Sequence, residues 1–77
     1  AKYFFDNDIE GKTRMIEKLK TGQNVFMWDK FLKDHNIPQR KVKDLNDLVK
    51  YEYKERVGCL NELDKYFTNN SLDIIFV

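Results

Sequence analysis

Two short segments carry the residue types that could do chemistry: Asp6-Asn7-Asp8, and Lys43-Asp44-Leu45-Asn46-Asp47. At the end of a strand, Asp6 and Asp8 sit two positions apart and project from one face. Two carboxylates that close repel, and one resists ionising unless a cation relieves it. Mg2+ (or Mn2+) suits the task, because it prefers oxygen, takes one or two carboxylates and completes its shell with water and phosphate. A helix starting just after Asp8 would favour an anion nearby. The plainer reading makes Asp8 an N-cap and Asp6 a turn residue. In the second segment Asp44 and Asp47 are three apart and share a helix face. There the plainer reading is an N-cap at Asp44 and an acid at Asp47 that suits the helix dipole.

Basic residues cluster between Asp29 and Lys43: Lys30, Lys33, Arg40, Lys41 and Lys43, against Asp29 and Asp34. Such a stretch can steer nucleic acid or nucleotides, with strong salt dependence. It can equally be a solvated, mobile loop. The whole chain gives no help, since 14 basic and 13 acidic residues leave a net charge of +1. His35 is a lone histidine without a nucleophile or acid placed to form a relay, so it reads as a surface residue. The single cysteine, Cys59, excludes an internal disulfide and a four-cysteine zinc site, and it favours a reducing, cytoplasmic setting. Trp28, Tyr51, Tyr53 and Tyr66 read as packing residues, with base stacking as the alternative.

These residues must be positioned by a small domain. A chain of 77 residues buries only about 60% of its unfolded surface. With 42% apolar and 35% charged residues it has the balance of a globular domain. Its longest apolar runs, Val25 to Trp28 and Ile74 to Val77, are far shorter than the roughly 20 residues of a membrane span, so no membrane partner is expected. Lys2 to Phe5 reads as a strand. Ile9 to Lys20 reads as a helix, with Ile9, Met15, Ile16 and Leu19 in register and Gly22 past its end. Asn24 to Trp28, apolar without alternation, reads as a second strand buried on both faces. Two strands joined by such a helix should be parallel, which puts Asp6-Asn7-Asp8 at a carboxyl end, where ligands of open parallel sheets sit. Residues 29–43 read as a basic loop, with room for one helical turn at Lys30 to Asp34. Asp44 to about Lys54 reads as a helix broken by Gly58, Leu60 to Phe67 as another helix, and Leu72 to Val77 as a last strand. The fold expected is α/β, a small parallel sheet with flanking helices.

In this order, Tyr3-Phe4-Phe5-Asp6-Asn7-Asp8-Ile9-Glu10-Gly11 and Lys43-Asp44-Leu45-Asn46-Asp47-Leu48-Val49 resemble the Asp-x-Asp and Lys-Asp-x-Asn-Asp segments of the Toprim domain. That Rossmann-like domain is shared by DNA primases, topoisomerases and some nucleases. Asn24-Val25-Phe26-Met27-Trp28-Asp29-Lys30 is most similar to the primases of T-even bacteriophages. The resemblance covers Lys2 to about Phe67, leaving out Phe31 to Val42 and the tail after Asn70. It implies a DNA primase performing metal-dependent nucleotidyl transfer, making RNA primers during phage replication. Asp6, Asp8 and Asp44 would be catalytic metal ligands, and Lys43 and Asp47 would lie near nucleotide phosphates. Lys30, Lys33, Arg40 and Lys41 would contact nucleic acid. The implied partners are a single-stranded DNA template, ribonucleoside triphosphates and a replicative helicase. Toprim enzymes also use a glutamate at the end of an earlier strand, which would lie before Lys2. The chain is therefore expected to be the C-terminal portion of a Toprim domain, inactive as an isolated fragment. The alternatives are the Toprim domain of a topoisomerase or nuclease, or a small helical binding module in which both acidic segments are only caps.

Overall fold

The computed structural model describes residues 2–76. Its first third is the unit the sequence predicts. Strand β1 (Lys2–Tyr3) leads to helix α1 (Ile9–Lys20) and strand β2 (Asn24–Phe26). The helix carries the chain back along the sheet, so β1 and β2 pair in parallel, Lys2 opposite Asn24 and Tyr3 opposite Val25. Asp8, in an extended conformation, caps α1. Met15 and Leu19 supply its buried face, and Lys18 and Lys20 oppose the dipole in its last turn. Gly22 just past the end adopts φ +78°, where a β-carbon would be strained. Ile9, expected on the apolar face, is instead largely exposed.

Both strands are shorter than the apolar runs suggest, for one shared reason. The carbonyl of Phe5 accepts the Trp28 indole N–H at 2.7 Å, so a side chain takes a bond that a longer ladder would have used. Trp28 is not a strand residue. The chain turns at Met27 into helix α2 (Trp28–Asp34), whose Trp28, Phe31 and Leu32 form a buried stripe. The stretch expected to be a basic loop is therefore half helix. Its apolar period only becomes visible once Trp28 is counted in it. A single 3-10 turn, Gln39–Lys41, completes the connection to helix α3 (Leu45–Glu55). α3 ends at Arg56 in the left-handed conformation (φ 54°), two residues before the expected breaker Gly58.

The C-terminal third departs most from expectation. Leu60–Tyr66 is a 3-10 helix, in keeping with apolar or aromatic residues at Leu60, Leu63 and Tyr66, spaced by three. Phe67–Thr68 is then a strand, β3, antiparallel to β2 with Phe67 opposite Phe26 and Thr68 opposite Val25. The sheet is thus mixed, in the order β1-β2-β3, and not all-parallel. The last strand expected from Leu72 onward is absent among the described residues; Ser71–Phe76 is instead a 3-10 helix packed against α1. Asn70 starts it, accepting the Leu72 N–H on its side chain and the Asp73 N–H on its backbone. Val77 lies outside the described residues.

The core gathers around β2. Val25 and Phe26 are both fully buried, as a strand covered on two faces requires. Phe26 meets the rings of Phe4, Trp28, Phe31 and Phe67 at centroid distances of 4.3 to 5.4 Å. Met15, Leu19, Leu32, Ile37, Val42, Leu48 and Cys59 close it.

One carboxylate holds the turn after α3. Glu52 accepts the backbone N–H groups of Gly58, Cys59 and Leu60, which lowers its pKa from the ordinary 4.5. A carboxyl with a lowered folded pKa contributes stability above its unfolded value, and the contribution is lost as pH falls through the folded one. Denaturant midpoints measured from about pH 6 down to about pH 3 should fall faster for the wild type than for Glu52→Gln. The variant should be the less stable of the two at the upper end. Equal midpoints at about pH 6 would show the clamp to be idle.

Candidate functional site

The two acidic segments meet. Asn7, between the aspartates of the first, donates its backbone N–H to the Lys43 carbonyl in the second. Its side-chain amide donates to the Val42 carbonyl at 2.8 Å and to Gln39 Oε1 at 3.1 Å. Segments far apart in sequence are so laid edge to edge beyond the carboxyl end of β1. Asn7 Oδ1 is buried there without a hydrogen-bond partner.

Gly11 fixes the other side of the loop. The Asp6 backbone passes directly over the first turn of α1, and a β-carbon at residue 11 would stand 1.9 Å from the Asp6 carbonyl oxygen. Only glycine allows that approach. The sequence held a signal for it, because a glycine inside a helix sacrifices stability and so calls for a reason of this kind.

Asp6 is exposed and lines a shallow cleft of about 270 Å³ together with Asp8, Glu10 and Arg14. Asp8 spends one oxygen on capping α1, accepting the Gly11 N–H at 2.7 Å. Glu10 is paired with Arg14 at 2.9 Å. Across the junction, Asp44 Oδ1 caps α3 by accepting the Asp47 N–H at 2.8 Å, and Asp47 Oδ2 accepts the Lys43 N–H at 3.1 Å. Asp8, Asp44 and Asp47 therefore all do the capping work of the plainer reading. Each carboxylate still keeps acceptor capacity on its other oxygen. Among the described residues, no three His, Cys, Asp or Glu side chains gather as a metal-binding group. Of the candidate ligands, Asp6 and Asp8 are the two that line the same cleft without an ion-pair partner among the described residues.

The basic residues divide into two sets. Lys43 is exposed at the junction itself. Arg40 and Lys41 are exposed on the 3-10 turn between Gln39 and Val42, both of which bond Asn7. Lys30 and Lys33 project from α2 into a different cleft, which they share with Lys65. His35 is not the surface residue expected. Its ring lies against Phe31 and Tyr66, with Nδ1 2.8 Å from the Phe31 carbonyl and Nε2 3.5 Å from Glu62. Cys59 is fully buried, and burial with Glu52 nearby pushes its thiol up to about 11, leaving it unreactive. Among the described residues no helix is long and apolar enough to cross a membrane.

Comparison with family models, with curated proteins and with solved structures finds no match for this chain.

Proposed function

We propose that this chain is part of a Toprim-type domain of a DNA primase, contributing carboxylates to metal-dependent nucleotidyl transfer. The observation that carries the reading is the Asn7 junction, where the Asp6-Asn7-Asp8 and Lys43-Asp44 segments lie together beyond a parallel strand. In that chemistry a ribonucleotide 3′-hydroxyl gives up its proton to solvent and attacks the α-phosphate of the next ribonucleoside triphosphate, breaking the α–β phosphoanhydride bond and releasing pyrophosphate. Bound Mg2+ would lower the hydroxyl's pKa and stabilise charge on the phosphate. Asp6 and Asp8 would hold the cation, with Asp44 across the junction. Lys43, Arg40 and Lys41, exposed beside it, would attract phosphate or template DNA. The acids act as a scaffold and form no covalent intermediate. The parallel pairing of β1 and β2 supports this reading over a small helical binding module, which would lack such strands.

The test separates charge from capping. Asparagine caps a helix about as well as aspartate, so Asp6→Asn with Asp8→Asn removes the negative charge while keeping α1. Titration of an isotope-labelled sample with Mn2+ should broaden amide signals of Asp6, Asp8 and Asp44 first, and the double variant should abolish this. Diffuse broadening over surface acids, unchanged in the variant, would sink the metal site.

A further inference from the structure

Of the three α-helices, α3 gives the least to the core. Helices α1 and α2 each bury three residues, whereas α3 buries Leu48 alone and is otherwise held by the Asp44 cap and the Glu52 clamp. Helices this short are marginal in water and draw most of their stability from a packed apolar face. The apolar residues that could supply one stay outside the core. Leu45, Val49 and Tyr53, spaced by four, form one stripe along the outer side and are 43%, 46% and 87% exposed. Tyr53, expected from the sequence to pack, packs against nothing of the core.

The charges around the stripe say what would cover it. Lys50 and Lys54, also four apart, run along one flank, and Arg56 stands at the end of the helix, all three exposed. Among the described residues none of the three is ion-paired. The acids of the helix do not offset them. Asp47 accepts the Lys43 N–H, Glu52 accepts the N–H groups of residues 58–60, and Glu55 lies on the opposite flank of the stripe. An apolar stripe with a cationic flank is the complement of an amphipathic helix whose own stripe is edged by Asp or Glu. We propose that the outer face of α3 docks an acidic amphipathic helix of a partner protein, with Tyr53 as the anchor. Antiparallel pairing of two copies of this chain would instead set their lysine rows against each other. The stripe is about 12 Å long, which makes for a small interface and a weak, reversible contact. The surface lies outside the acidic junction and needs no metal at Asp6.

Two helical peptides share one pattern of Leu at i, i+3 and i+7; one is edged by Glu, the other by Lys. Each is titrated into the labelled full chain. The Glu peptide should shift amide signals of Leu45, Val49 and Tyr53 saturably, and the Lys peptide should bind about tenfold more weakly or worse. Lys50→Glu with Lys54→Glu should reverse that preference, and Tyr53→Ala should weaken the Glu peptide about tenfold. All three positions are exposed, so the far-UV circular dichroism of both variants should match the wild type. The charge-reversed variant should keep the Mn2+ broadening at Asp6, so failure here is separable from failure of the metal reading. No saturable shift, or a preference that survives charge reversal, would overturn the proposal. So would α3 signals that move with protein concentration alone, which would make the occupant a second copy. Shifts caused by phosphatidylserine vesicles and not by the Glu peptide would overturn it in favour of a membrane surface.

Discussion

Gly11→Ala is expected to destabilise the protein by about 3 kcal/mol or more, at a position where helix propensity predicts the opposite sign. Alanine in place of glycine inside a helix ordinarily gains about 0.5–1 kcal/mol. Here the new methyl would stand 1.9 Å from the Asp6 carbonyl oxygen and 2.8 Å from its carbon. Neither atom can yield alone, because both are backbone. The loop would have to lift off α1, and that would strain the Asp8 cap at 2.7 Å and the three hydrogen bonds by which Asn7 holds Gln39, Val42 and Lys43. Overpacking of this kind costs about 1–3 kcal/mol when soft side chains can move, and more when they cannot. A domain this small has little reserve, so much of the population should unfold. Urea denaturation followed by far-UV circular dichroism reads the sign directly. A variant more stable than the wild type would mean that Asp6 does not cross the helix where the structure puts it.

Trp28→Ala should cost about 3–5 kcal/mol, the usual range for emptying a large aromatic site. Trp28 is 1% exposed and packs edge-on against Phe4 and Phe26 at 5.2 and 5.0 Å. Trp28→Phe is the more informative change. It keeps most of the ring volume but removes the indole N–H that the Phe5 carbonyl accepts at 2.7 Å. A fully buried acceptor left without its donor costs about 1–3 kcal/mol, and the part-buried Phe5 carbonyl should cost about 1 kcal/mol, the lower end of that range. The loss falls one residue before Asp6, so the conservative variant should also disturb amide signals of Asp6 and Asn7, while signals on α3 beyond Leu48 stay in place. Stability within about 0.5 kcal/mol of the wild type would show that the hydrogen bond is not used.

Much of the candidate site was legible in the residues. The pattern Asp8, Met15, Leu19, Gly22 specifies cap, face and stop of α1, and the helix runs over Ile9–Lys20 as expected. Asp44 likewise opens α3. Both are local signals, settled within one or two helical turns by side-chain-to-backbone bonds and a 3.6-residue period. The parallel pairing of β1 and β2 followed as well, because a helix between two strands leaves the chain little choice. What the two acidic segments had in common beyond capping could not be read locally. Each, taken singly, is fully explained by its helix.

By itself, then, the sequence determined the βαβ start, the helix opening at Asp44 and the placing of Asp6-Asn7-Asp8 at a strand's carboxyl end. It took Trp28 into the strand and gave Lys30 to Asp34 only a single helical turn, because one tryptophan could close a strand or open a helix, and burial of its ring against Phe4 and Phe26 chose the helix. It also missed β3, since two residues carry no period and become a strand only when Val25 and Phe26 stand opposite them. Three further features exist solely in the tertiary structure: the Asn7 junction between the acidic segments, the Glu52 clamp on residues 58–60, and the meeting of Lys65 with Lys30 and Lys33 across one cleft. Each joins groups through contacts that no local periodicity encodes, and their partners are chosen by how the elements pack around Phe26.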